Sequence, residues 1–381
     1  MLETLTHLTQ VQPPRNHKNT DSLNKIANYL KNRFDDIGLD TSFQEFEINE
    51  NIYKNVIATL NPQYEKRLII GAHYDVCGNI QGADDNASAI AGVIQTAIEL
   101  FGIQDEIPFR IDFLCFTLEE HPYFGTQNMG SYKYAKYLFD NKVDVIGMIN
   151  YEMIGYFTSN DVDLEQFIFF ITKSQANTSK GNYIAALSDE QSVNFLSKFD
   201  FMNVEKNIEY VEAMIPSPLN LITASDHLNF WKFGYQAIMI TDTAHFRNPN
   251  YHTVNDTLET LDIKKMQDVI SLVVNGIKNL ILEIYKNDKY LNKLANLYVD
   301  NCGISIGYRT IAFDMATNYF EEKYKIDFGI AVQYFELIMD EINIAHREFD
   351  IITMDEEKFN KFKIELIDFY KIDLGINNAN K

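Results

Sequence analysis

His73-Tyr-Asp75, Asp84-Asp85, Glu119-Glu120, Glu152 and Tyr251-His252 are the residues whose types are suited to chemistry. Imidazole nitrogen and carboxylate oxygen are ligands that Zn²⁺ accepts, and two such ions about 3.5–4 Å apart can hold a water and a carbonyl oxygen together. Five members of the set suffice if one carboxylate is shared: His73 and Glu152 on one ion, Glu120 and His252 on the other, and Asp84 between them. Glu119 is then left as the base that takes a proton from water, because a carboxylate engaged as a ligand is poorly suited to carry one. Taken singly these residues say little, since a lone histidine after a strand is usually structural and a Glu-Glu pair usually opens a solvated helix. Their order along the chain, at the ends of successive apolar runs, is what sets them apart.

The elements that must position them can be read from periodicity. Asp21 and Ser22 can cap a helix carrying Leu23, Ile26, Ala27, Leu30, Phe34 and Ile37 at helical spacing, with Gly38 at its end. Ser42–Ile48 and Asn55–Leu60 read as a hairpin. The runs 67–72, 109–116 and 143–150 are short and apolar, as expected of strands buried on both faces. They end at His73, at Glu119-Glu120 and at Glu152. Helices are predicted from Ala87 to Phe101, from Asn128 to Phe139 and from about Leu258 to Tyr285, and a further strand from Tyr235 to Ile240. This alternation predicts an α/β fold with a mixed, mostly parallel central sheet covered by helices on both faces. Ligand sites in such sheets collect beyond the carboxyl ends of the strands. Residues 1–287 are predicted to form the catalytic domain. Residues 288–381, rich in Tyr and Phe, acidic and helical in period, are predicted to be a helical C-terminal extension that packs on that domain or joins a second copy in a homo-oligomer.

The 381 residues carry 33 Lys and Arg against 54 Asp and Glu, a formal net charge of −21. Nucleic acid is therefore not an expected partner, because binding a phosphate backbone needs concentrated positive charge. Val269–Ile284 is broken by Asn275 and Lys278, too short an apolar run to span a membrane. The first residues lack the basic region of a secretion signal, and Cys77, Cys115 and Cys302 make an odd count at unrelated spacings. Cytoplasmic residence is the resulting expectation. Cys77 is expected to pack.

Gly71-Ala-His-Tyr-Asp75, Gly82-Ala-Asp-Asp-Asn-Ala-Ser88, Thr117-Leu-Glu-Glu120 and Tyr251-His-Thr253 resemble, nearly letter for letter, the motifs of the M28 family of zinc aminopeptidases, and the resemblance extends over about residues 13–285. It implies two zinc ions held by His73, Asp84, Glu120, Glu152 and His252, with Asp84 bridging. It implies Glu119 as general base that later protonates the leaving amine, and Tyr251 as a donor to the developing oxyanion. Asp75 would accept the second ring proton of His73, and Asp85 would support the site, with a cis peptide in the Asp-Asp pair. Where many members have Asp, this chain has Glu152, whose extra methylene carries the carboxylate about one bond length further.

Ser225-Asp226-His227 matches another segment of that family, and Asp226 and His227 are expected to support the site. Arg247 and His121 are candidate pocket residues, and the pocket walls are expected from loops over Tyr156–Asp189 and Asn203–Ile222. The implied activity is zinc-dependent release of N-terminal residues from small peptides. A glutaminyl cyclase or a carboxypeptidase of the same fold, or a catalytically silent scaffold, are the alternatives.

Overall fold

The computed structural model describes residues 1–162, 170–216, 225–288, 291–292, 294–295 and 306–346. Cys302, residues 347–381 and parts of the expected pocket-wall segments (163–169 and 217–222) lie outside the described residues. The chain divides into two compact units, Met1–Gln104 with Phe109–Ile277, and Asp105–Pro108 with Lys278–Lys381.

In the first unit, a short helix α1 (Leu2–Gln10) precedes α2 (Thr20–Ile37), whose stripe of Leu23, Ile26, Ala27, Leu30 and Phe34 is fully buried. Gly38 takes φ 100° and closes α2 by donating its N–H to the Asp35 carbonyl, while Leu39 reaches back to that of Phe34. The hairpin follows as β1 (Asp40–Ile48) and β2 (Asn51–Leu60), paired antiparallel. Then come β3 (Arg67–His73), α3 (Ala89–Phe101), β4 (Arg110–Phe116), α4 (Gly130–Asp140) and β5 (Val145–Glu152). Further along lie β6 (Ile171–Ser174), β7 (Tyr183–Ser188), α5 (Val193–Ser197), β8 (Glu209–Met214), α6 (His227–Lys232), β9 (Ala237–Thr241) and the long α7 (Ile263–Lys286).

One nine-stranded sheet runs in the order β1-β2-β4-β3-β5-β9-β7-β8-β6. Its centre, β4-β3-β5-β9, is parallel, as is β7-β8, whereas β1-β2, β2-β4, β7-β9 and β6-β8 are antiparallel. The mostly parallel character expected from the sequence thus belongs to the centre. β6, β7 and β8 occupy stretches expected as loops, because β6 is four residues long and mostly exposed, Tyr183–Ser188 is interrupted by Ala185-Ala186 and Glu209–Met214 carries two glutamates.

Side chains alternate between the two faces of the sheet. Ile69, Leu114, Phe116, Met148 and Ala237 pack against Tyr134, Ala135 and Leu138 of α4 and Phe230 of α6. On the opposite face Phe113 stacks on Phe34 of α2 at 6.3 Å, and the hydroxyls of Tyr151 and Thr96 of α3 meet at 2.9 Å. Each such side chain, fully buried, contributes about 1.5–3 kcal/mol. The parallel centre ends at His73, Phe116, Glu152 and Thr241, so its carboxyl edge delivers the acid and imidazole side chains together.

The second unit has α8 (Ile306–Tyr324) and α9 (Phe328–His346), near the predicted helical span. Tyr285 gathers the rings of Phe320, Tyr324 and Tyr334 at 5.0, 5.0 and 4.7 Å, and the Asp288 carboxylate accepts from Tyr319, Lys323 and Tyr324. Among the described residues, no helix is long and apolar enough to cross a membrane.

Asp112 is fully buried in β4 and accepts from Thr59, Arg67, Arg110 and Tyr134 at 2.8, 3.0, 2.6 and 2.7 Å. Removing it strands the charge of two arginines against the sheet. Asp112→Ala is expected to lower the unfolding free energy by about 3 kcal/mol, read as a shift of the urea midpoint; a shift below a third of that would contradict the arrangement.

Candidate active site

Beyond β3 the chain must turn from His73 toward the acidic segment 83–88 and still keep both in one place. Arg15, fully buried, does this by donating to the carbonyls of Leu8, Tyr74, Gln81 and Gly82 at 2.8, 2.7, 2.5 and 2.7 Å. Burial lowers its pKa to about 10, and the charges of Asp256 and Asp85 oppose that. Gly82 opens the next turn at φ 59°, where a Cβ would meet the Asp85 carbonyl and the Val76 side chain. In the wide turn Ala83–Ser88, Asp85 (φ −103°, ψ 92°) and Asn86 (φ −133°, ψ 35°) leave helical geometry. The carboxylate of Asp256 holds this turn from outside, accepting the N–H of Asp84 at 2.8 Å and of Asp85 at 3.0 Å.

The carboxylate that lies between the two histidines is that of Asp85, a correction to the expectation for Asp84. Asp85 Oδ1 is 3.4 Å from His73 Nε2 and Oδ2 is 3.0 Å from His252 Nε2. Asp84, also fully buried, points away: it accepts from Gly155 N–H at 2.9 Å and Asn248 Nδ2 at 2.7 Å and bonds to the carboxyl of Asp242. The two acids sit on non-helical backbone, so neighbours in sequence face different ways. The cis peptide likewise falls at Asp85-Asn86 and not within the Asp-Asp pair.

Glu152 Oε2 stands 3.5 Å from His73 Nε2, and Glu120 Oε1 stands 3.3 Å from His252 Nε2. Glu119 Oε2 lies 3.8 Å from His73 Nε2. Asp75 approaches the far ring nitrogen of His73 at 3.5 Å, and its carboxylate also accepts the backbone N–H groups of Glu119 and Glu120, both at 3.1 Å. Tyr251 stacks on the His252 ring at 3.8 Å, and burial raises its phenol, which stays protonated. Ser225 donates to Glu152 Oε2 at 2.5 Å and Asn86 Nδ2 to the same oxygen at 3.2 Å.

Asp226 is fully buried and pushed up to about 7, first by burial, with His73 opposing and the charge of Glu152 adding. His227 is fully buried with its ring edge-on to Trp231 at 4.6 Å. Arg247 donates to the Tyr183 carbonyl at 2.7 Å and lies over the Tyr183 ring, which makes it a wall-building side chain. His121 is exposed, with its ring edge-on to Phe124. Arg15, Asn86, Asp242, Asn248 and Asp256 were outside the sequence reading. Asp256 had a signal, its place four residues after His252; Arg15 had none.

Four nearly buried carboxyls, Asp85, Glu119, Glu120 and Glu152, therefore surround two imidazoles. Burial pushes Glu120 up to about 7 and raises Glu119 and Glu152. Burial works against charge on His252, but Asp85 and Glu120 outweigh it and hold the ring at about 10. Such a set asks for positive charge. Its nitrogen and oxygen atoms fall into two groups suited to a divalent cation, one containing His73, Asp85 and Glu152 and the other Glu120, His252 and Cys77, the donor atoms of each lying within 4.8 Å of one another. Glu120 Oε1 is buried and accepts no hydrogen bond from the described residues. The donors fit zinc.

Two outcomes follow. Asp85→Asn is expected to abolish tight binding of both of two divalent ions in a calorimetric titration, while Asp84→Asn weakens binding by about 10–100-fold at most; the reverse order would return the shared position to Asp84. Burial also pushes His227 from 6.5 down to about 3. The unfolded chain takes up a proton there that the native one refuses, so this stability is whole above pH 6.5 and is lost as pH falls toward 3, at about 1.4 kcal/mol per pH unit. Urea midpoints measured from pH 7 to 4 are expected to fall less steeply in His227→Gln, and parallel slopes would exclude His227 as the cause.

Comparison with known proteins identifies the family. The chain is 33% identical over 287 residues to the uncharacterized protein YfbL of Escherichia coli, covering 73% of this chain and 86% of that one. It is 28% identical over 257 residues to a probable leucine aminopeptidase of Trichophyton verrucosum, covering 65% and 62%. Among solved structures, LapB from Legionella pneumophila superposes with a TM-score of 0.57 at 23% identity (73% and 70% covered), and Tannerella forsythia glutaminyl cyclase with 0.54 at 19% (73% and 97%). The family model described as Peptidase family M28 matches residues 55–277, a span that takes in every residue from His73 to His252, and the chain belongs to that family.

Proposed function

We propose that the protein is a two-zinc aminopeptidase that removes N-terminal residues from small peptides. The observation that carries the reading is the Asp85 carboxylate, 3.4 Å from His73 and 3.0 Å from His252, with Glu152 and Glu120 on either side. His73, Asp85 and Glu152 would hold one ion and Asp85, Glu120 and His252 the other, so that Asp85 takes the bridging role first expected of Asp84. Bound there, the ions supply Lewis acidity that lowers the pKa of water and polarises a peptide carbonyl.

The remaining work falls to the chain's own side chains. Glu119, buried beside His73 and outside both donor groups, takes the proton from the attacking water and passes it to the leaving amine. Its raised pKa suits a group that must accept a proton and hold it. The Tyr251 hydroxyl, kept protonated by burial, serves as donor to the oxyanion. The acidic surroundings of Glu119 and Glu152 favour the free ammonium of a substrate. Relatives named leucine aminopeptidases support this reading, and a glutaminyl cyclase among the structural neighbours keeps cyclisation as the competing outcome. Two donor groups, with the Asp85 carboxylate 3.4 Å from His73 and 3.0 Å from His252, favour the two-ion peptidase over a one-ion cyclase.

Glu119→Gln is expected to lower kcat by about 10²–10⁴-fold on unblocked aminoacyl nitroanilides, with two zinc ions per chain retained by elemental analysis. Amino-blocked substrates are expected to be inert. Unchanged turnover in Glu119→Gln, or cyclisation of N-terminal glutamine with a single zinc, would overturn the assignment.

A further inference from the structure

We propose that Cys77 is a thiolate ligand of the second cation position, which makes that position softer than the first. This rests on the two-cation reading above. Cys77 lies four residues beyond His73, on the loop between β3 and the acidic turn, and forms no disulfide. Its Sγ, a carboxylate oxygen of Glu120 and a ring nitrogen of His252 all lie within 4.8 Å of one another. Glu120 Oε1 is buried there and faces the His252 ring nitrogen at 3.3 Å without a well-aligned hydrogen bond. Three donors therefore converge, one sulfur, one nitrogen and one carboxylate oxygen, with Asp85 Oδ2 3.0 Å from the same His252 Nε2.

Three protein donors with a position left open suit a catalytic zinc, whose bonds run about 2.3 Å to sulfur and about 2.0–2.1 Å to nitrogen. The first position has His73, Asp85 and Glu152 and no sulfur. The loop is pinned on both sides of the cysteine. Before it, Arg15 donates to the Tyr74 carbonyl and accepts the Val76 N–H on its own carbonyl; after it, the Asn16 amide donates to the Gly78 carbonyl. Binding breaks the S–H bond, releases its proton to solvent and forms the sulfur–metal bond with the electron pair left on sulfur. A thiolate biases the second position toward Zn²⁺ and Cd²⁺ and against Mg²⁺ and Mn²⁺.

The test loads the metal-free full chain with Co²⁺ or Cd²⁺. As the second equivalent binds, a near-ultraviolet thiolate-to-metal charge-transfer band is expected. Cys77→Ser and Cys77→Ala are expected to lose it and to bind the second Cd²⁺ at least tenfold more weakly. In the unsubstituted chain, peptide mapping is expected to show Cys77 protected from iodoacetamide by metal, a readout that needs no variant. Two bound ions with no band, a band that survives in Cys77→Ser, or alkylation of Cys77 unaffected by metal would overturn the inference and leave the peptidase reading standing. Fewer than two ions on the unsubstituted chain would overturn both.

Discussion

Like charges brought together in a place that excludes water are the constraint around which this molecule is organised. Two carboxylates about 4 Å apart repel by about 4 kcal/mol at the effective dielectric of a protein, and here Asp85, Glu119, Glu120 and Glu152 are almost wholly buried beside two imidazoles. Such a cluster persists only if the scaffold forbids the side chains from spreading apart and supplies compensating charge. The rigid carboxyl edge of the parallel strands β3, β4, β5 and β9 meets the first need, because each strand is locked to its neighbours by ladder hydrogen bonds. The imidazoles of His73 and His252, whose pKa values the surrounding acids raise, partly meet the second, and divalent cations would meet it more fully.

The loops at that edge are held by one device used twice. Asp75 accepts the consecutive N–H groups of Glu119 and Glu120, and Asp256 accepts those of Asp84 and Asp85. Each pair of charge-assisted bonds fixes a peptide plane and thereby the direction in which the next side chains leave the backbone. Arg15 ties the loops together through four carbonyls. Charged side chains that grip the backbone thus decide where the reactive ones stand.

Glu at position 152, in place of the Asp that the family resemblance leads one to expect, finds its physical accommodation in the same surroundings. A longer side chain loses more rotamer freedom when it is ordered. Ser225 and Asn86 both donate to Glu152 Oε2, and Ser225 is itself steadied by Asn150 at 2.7 Å. The extra methylene is compensated by two donors that arrive from other parts of the chain.

How much of this was legible beforehand follows from the range of the forces involved. Helical spacing in α2, the apolar runs of β3, β4 and β5, and the acids and histidines at their ends are local features, and the sequence alone carried them, together with the family. The choice between Asp84 and Asp85 was decided only in three dimensions, since a turn with non-helical angles at Asp85 and Asn86 sends adjacent side chains in different directions. β6, β7 and β8 also escaped, because β6 is a four-residue, mostly exposed edge strand, β7 is interrupted by Ala185-Ala186 and β8 carries two glutamates, so none reads as a bulky apolar run. Arg15 was the least visible of all: its importance lies in carbonyls up to 67 residues away, and only the folded chain brings those within hydrogen-bonding distance.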